Sequence, residues 1–120
     1  IVPGDSGIWN NLGAALEALG EFDRALAAYN QATRGRLQSR NAILGKAFVQ
    51  MRLGRLKEAS ATLEMLVQSR QPASAELLAA RSILAQLQGD SEAADSMAGQ
   101  ASRIDPDVMA WAAARAGLTQ

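Results

Sequence analysis

One short pattern occurs three times along this chain. Gly20-Glu21-Phe22-Asp23-Arg24-Ala25 reappears as Gly54-Arg55-Leu56-Lys57-Glu58-Ala59, and again as Gly89-Asp90-Ser91-Glu92-Ala93-Ala94. The glycines stand 34 and then 35 residues apart. A unit of that length cannot bury its own apolar face. It gains stability by stacking on its neighbours, so a period in this range constrains the fold to a stacked array.

The residues between the glycines are strong helix formers, chiefly Ala, Leu, Gln, Glu and Arg, with few β-branched side chains. No segment alternates apolar and polar residues as a half-buried strand does. The spacing predicts seven helices. The first runs Ile8 to Leu19, with Trp9, Leu12 and Leu16 on one face and Gly20 as its stop. Phe22 to Thr33 follows, with Phe22, Ala25, Leu26, Tyr29 and Ala32 on one side. After a break at Gly35-Arg36, Ser39 reads as an N-cap for a helix through Ala42 to Leu53, stopped by Gly54. Leu56 to Val67 forms the fourth, ended by Gln71-Pro72. The fifth carries Leu77, Leu78, Leu84 and Leu87 and stops at Gly89. Asp90 caps the sixth, and Asp105-Pro106 opens a seventh that contains Trp111.

The first copy reads Trp9-x-x-Leu12-Gly13-x-x-Leu16-x-x-x-Gly20-x-Phe22-x-x-Ala25-x-x-x-Tyr29-x-x-Ala32. With these residues in these places the chain resembles the tetratricopeptide repeat family. Small residues at Gly13, Ala25 and Ala32 let two helices approach, and large ones at Trp9, Leu12, Leu16, Phe22 and Tyr29 fill the space between pairs. In the second copy Ile43, Ala47, Gly54, Leu56, Ala59, Leu63 and Leu66 take corresponding places, but Lys46 and Gln50 fall where apolar residues are expected. Leu44-Gly45-x-Ala47-Phe48 looks like the motif displaced, so either the register slips or this helix is longer. The third copy is degenerate in its first helix and recovers at Ala94, Ala98, Ala101 and Pro106. The resemblance implies an all-α, right-handed α-solenoid of about three helical hairpins, at 6–37, 40–71 and 74–106, with an extra helix at 106–117. All 120 residues then form one domain.

Composition removes several function classes. The chain has no His and no Cys, so within it there is no thiolate or imidazole zinc site, Ser-His-Asp or Cys-His catalysis, disulfide or iron–sulfur ligation. Twelve Lys and Arg balance twelve Asp and Glu, which leaves no electrostatic case for nucleic acid. The one basic cluster, Arg34, Arg36 and Arg40, lacks interleaved aromatics and reads as a solvated connection. No apolar run reaches the roughly 18–20 residues of a membrane span. Gly45-Lys46-Ala47 lacks the glycine spacing of a phosphate loop. The carboxylate pairs Glu17/Glu21, Asp90/Glu92 and Asp105/Asp107 sit at helix ends and read as solvated or dipole-directed charges, not as an acid–base couple. No catalytic residue, metal ligand or cofactor is expected. The excess of Arg over Lys, with abundant Ala, suggests a GC-rich bacterial gene.

What remains is a surface. In the family the first helix of each pair lines the concave side, and its unpacked positions face a groove. In the first helix these are Asn10, Ala14, Glu17 and Ala18; in the second pair Leu44, Phe48, Met51 and Arg52; in the third Ala79, Ile83, Gln86 and Leu87. The expectation is a largely apolar groove that takes a peptide or protein partner, with Asn10, Ala14, Glu17, Leu44, Phe48, Met51, Arg52, Ile83 and Gln86 in contact with it. Phe48 stays open: it faces the groove in one register and the core in the other. Family members that grip a C-terminal carboxylate carry cationic or Asn side chains where Ala14 and Leu44 stand, so that activity is not supported. Two further readings stay open, a segment of a larger enzyme such as a transferase and a self-assembling module. The chain does not begin with Met, and Pro3 and Pro106 stand where repeats close, so both ends look cut. The final helix carries a single charge, which suggests that Trp111 meets missing chain or a second copy, as in a homodimer.

Overall fold

The structure, a computed structural model, describes residues 6–34, 39–69 and 74–118. The expected breaks at Gly35-Arg36 and Gln71-Pro72, and the signal at Pro3, lie outside the described residues. Within them the chain is all helical: α1 (Ser6–Ala18), α2 (Phe22–Ala32), α3 (Arg40–Arg52), α4 (Leu56–Val67), α5 (Ala75–Leu87), α6 (Ser91–Ile104) and α7 (Val108–Arg115).

The glycine stops act through the backbone. Gly20, Gly54 and Gly89 have φ of 77°, 76° and 86°, a left-handed turn that side chains disfavour. At each, the glycine N–H donates back to one carbonyl of the ending helix and the next N–H to an earlier one, as in Glu21 N to Leu16 O at 2.9 Å, Arg55 N to Gln50 O at 2.8 Å and Asp90 N to Ala85 O at 2.9 Å. Gly117 repeats the device after α7, with φ of 79° and Leu118 N on Ala113 O at 2.8 Å. Four helices, α1, α3, α5 and α7, therefore end alike. Three starts, those of α3, α5 and α6, are capped by side chains: Ser39 accepts from Ala42 N, Ser74 from Leu77 N and Asp90 from Ala93 N.

The helices pack in sequence order, α1 on α2, α3 on α4, α5 on α6, with α2 on α3 and α4 on α5 joining the pairs. Tyr29 explains the closest approach. Its ring is fully buried, and a Cβ placed on either Gly13 of α1 or Gly45 of α3 would overlap it. Glycine at both positions thus makes room for an aromatic wedge between α1 and α3. This also bears on the second pair. Its first helix is no longer than that of the first pair, 13 residues in each. Gln50 is buried where an apolar residue was expected, and the Thr62 hydroxyl of α4 donates to its Oε1 at 2.7 Å. A polar pair replaces an apolar one without a change in helix length.

Two core clusters result. The first pair, with Ala42 and Val49 of α3, forms one around Leu16, Leu26 and Tyr29. The larger runs from α3 to α7 and contains Leu44, Phe48, Met51, Leu63, Leu78, Ile83, Val108 and Ala112.

Candidate functional site

The side formed by α1, α3 and α5 is where a partner surface was expected, and α7 lies on it. The first helix of the second pair packs more on the helix just before it than on the first helix of the previous pair, and the same holds for α5. In α7 the order reverses: it packs more on α5 than on α6. It has moved inward off the end of the stack, and its far end reaches α1.

Val108 and Ala112 of α7, with Ala116 just past its end, form a buried stripe, one residue every fourth position. Small side chains there let the helix sit close to the floor beneath it. Trp111 meets Phe48 of α3 edge to face, ring centroids 5.4 Å apart, and Arg115 stacks over the Phe48 ring at 5.1 Å. Gly117 ends the segment against Arg52, where a Cβ would overlap the guanidinium.

The four apolar residues expected to line an open groove are consequently covered. Leu44, Phe48, Met51 and Ile83 are all at most 5% exposed, members of the core cluster that includes α7. Phe48 is core, and so is Met51. Over Phe48 the neighbours include Trp111 and Arg115 of α7, and Leu44, Met51 and Ile83 lie in the same core cluster as Val108 and Ala112 of α7. Trp111, expected to meet missing chain or a second copy, instead meets its own chain's Phe48 and keeps 38% of its surface exposed. The remaining residues sit at the rim. Ala14, Arg52 and Gln86 are exposed, Asn10 and Glu17 partly so. Ala14, Glu17, Ala18, Arg52 and Arg115 line a shallow cleft between α1 and the end of α7.

At that cleft a charged lock ties the two ends of the chain together. Arg115 Nε donates to Glu17 Oε2 at 2.8 Å, and Nη2 to Oε1 at 3.0 Å, a two-pronged guanidinium–carboxylate pair. The Tyr29 hydroxyl donates to the same Oε1 at 2.8 Å. Arg52 Nε donates to the Arg115 carbonyl at 3.0 Å, placing a cation at the C-terminal end of α7 where the helix dipole favours it. Burial, then the negative charge of Glu17 and its hydrogen bond, push the Tyr29 phenol far above its ordinary pKa, so it stays a donor. Burial works against the Arg115 cation, but the hydrogen bond and charge of Glu17 outweigh it and raise its pKa.

The tetratricopeptide repeat model of known families matches residues 7–34, the α1–α2 pair. The α1–α2 pair is thus similar to a tetratricopeptide repeat. No curated protein and no solved structure matches the chain. Tetratricopeptide repeats are protein-interaction repeats, and the chain's all-helical, serially packed architecture is that of a helical repeat. Among the described residues no group of His, Cys, Asp or Glu is placed to hold a metal ion. No described helix is long and apolar enough to cross a membrane.

Sequence reasoning found Glu17 but missed Arg115, its partner 98 residues away. Two signals were available. Arg115 is the one charged residue in α7, and it follows Trp111 by four positions, the spacing that puts both on one helix face. Gly117, the fourth stop, was missed as well.

Proposed function

We propose that the chain is a non-catalytic protein–protein interaction module whose concave face, built from α1, α3 and α5, receives a short amphipathic helix. We read it as three repeats at 6–37, 40–71 and 74–106 with an additional helix at 106–117. The observation that carries the reading is the seat of α7. A surface that already holds an eight-residue helix by a stripe of Val and Ala, an aromatic edge contact and one arginine has the shape and chemistry of a helix acceptor. Asn10, Ala14, Glu17, Arg52 and Gln86 at its rim are the polar contacts a docked helix would meet first. Self-association through Trp111 has lost its main support, because that ring already has an internal partner.

The test is a selection of binders from a library of random helical peptides against the full chain, followed by mapping of the contact surface by NMR chemical-shift changes. The reading expects shifts at Asn10, Ala14, Glu17, Arg52 and Gln86 and within α7. Binders that map to the outer faces of α2, α4 and α6, or that bind only as extended strands, overturn it.

A further inference from the structure

We infer that α7 is a displaceable strap, an internal occupant of the concave face that a partner helix of the same chemistry replaces once the Glu17–Arg115 lock opens. The inference rests on the concave-face reading above and adds what controls access to it.

Three observations support it. First, α7 is weakly anchored for a helix in a core. It is eight residues long, and an isolated helix of that length does not hold together in water. Its buried side chains, Val108 and Ala112, are small, Met109 and Ala113 are only partly buried, and Trp111 keeps 38% of its surface exposed. Second, its attachment is polar and concentrated at one end. Arg115 supplies both bonds to Glu17, and its own carbonyl takes the bond from Arg52. Removing the Arg115 side chain therefore breaks both bonds to Glu17 and leaves the Arg52 bond as the polar tie at that end, with the helices beneath unchanged. Third, the covered surface is complete without the strap. Leu44, Phe48 and Ile83 are fixed on helices α3 and α5, which have their own partners in α4 and α6. Departure of α7 uncovers Phe48 and the part of α5 that α7 packs on, beside a carboxylate.

The chemistry of the occupant defines its rival. A competing helix needs small or β-branched residues at every fourth position, an aromatic to meet Phe48 edge-on, and an arginine four residues after that aromatic to reach Glu17. The lock also gives the face a charge preference. Glu17 is mostly buried and accepts from both Arg115 and Tyr29, so a rival without a cation leaves a carboxylate short of its partner. A helix with an acidic residue at that position is rejected.

The experiment uses the full chain and a fluorescent synthetic peptide of residues 106–118 as the probe. Arg115→Ala in the chain unlocks the internal strap while leaving Glu17 intact for the arginine of the peptide. Circular dichroism confirms that the variant is folded, and Arg115→Gln serves as the milder variant if it is not. Native-state hydrogen exchange first reads the strap: α7 amides should exchange at least tenfold faster in the variant, with α3 and α5 unchanged. Anisotropy then reads the face: the peptide should bind the variant at least tenfold tighter than the parent chain. A peptide with Arg115→Ala should lose that gain. If α7 exchanges only together with α3 and α5, it is part of the core and the strap is overturned. If α7 opens alone and the peptide still does not bind, the helix-accepting face fails, and the strap as a competitor fails with it.

Discussion

Replacing Gly45 with Ala tests the wedge that holds the first two pairs together. A Cβ at this position would overlap the Tyr29 ring. The ring has little room to yield, because it is fully buried and a Cβ on Gly13 would also meet it, at 2.8 Å. Relief therefore requires α1 and α3 to move apart. Overpacking in a rigid site costs about 3 kcal/mol. Against this, Ala is better than Gly in a helix by about 1 kcal/mol. The net loss is about 2 kcal/mol. With an unfolding entropy of about 2.1 cal/mol/K per residue, that lowers the melting temperature by about 8 °C. Gly99→Ala is the matched control. It lies inside α6 with open space where the Cβ would go, so only the helix gain applies and stability rises by about 0.5–1 kcal/mol. Thermal and urea unfolding followed by circular dichroism measure both. A Gly45→Ala protein that melts at or above the parent would refute the wedge, whatever the control does.

Other consequences can be checked in the same way. Tyr29 is the chain's one tyrosine, so its ionisation can be read directly by tyrosinate absorbance. Its folded pKa lies above the unfolded value of about 10. Stability from this group is thus full below pH ~10 and falls as pH rises beyond it. Tyrosinate should appear only as the protein unfolds in alkali; titration near pH 10 with the helices intact would contradict the burial. Thr62→Val leaves the Gln50 amide oxygen buried without its donor and should cost about 1–3 kcal/mol, while Gln50→Leu should stay within about 1 kcal/mol because the Thr62 hydroxyl can turn to the Glu58 carbonyl. Equal losses in urea titrations of the two variants would count against that asymmetry. Leu44→Glu and Ile83→Glu each place a carboxyl group in the core and should cost on the order of 3–5 kcal/mol. If both variants keep the parent melting temperature, these positions face solvent.

Much of this architecture could be read from residue spacing. The positive-φ glycines Gly20, Gly54 and Gly89, the caps at Ser39 and Asp90 and the alternation of paired helices are local events. Each is decided by a handful of consecutive residues, so the sequence carries them openly. The seat of α7 is different. Periodicity tells which residues share one side of a helix and says nothing about what lies over that side. Leu44, Phe48, Met51 and Ile83 are buried in one cluster with residues of the chain's own last helix, whose Trp111 lies on Phe48. One clue was present. In α3, Ile43, Leu44, Ala47, Phe48, Val49 and Met51 surround the axis, and in α5 Leu77, Leu78, Ala80, Ile83 and Leu84 do the same. A helix apolar on every side is enclosed on every side, which a one-sided stack with an open groove does not provide. The lock joining Glu17 to Arg115 spans 98 residues, beyond any local pattern. Even the spacing of stops carries a trace of it: Gly117 follows Gly89 by 28 residues, where a full repeat would need 34 or 35.

The account depends on α7 lying across α1, α3 and α5 and not stacking on α6 alone. Nuclear Overhauser contacts between the Phe48 ring and the Trp111 indole measure this directly, since their centroids are 5.4 Å apart. The structure predicts strong cross-peaks between these rings, and from the Arg115 side chain to Phe48 and Glu17. A folded α7 whose Trp111 shows contacts to α6 and none to Phe48 would contradict the occupied face and everything inferred from it.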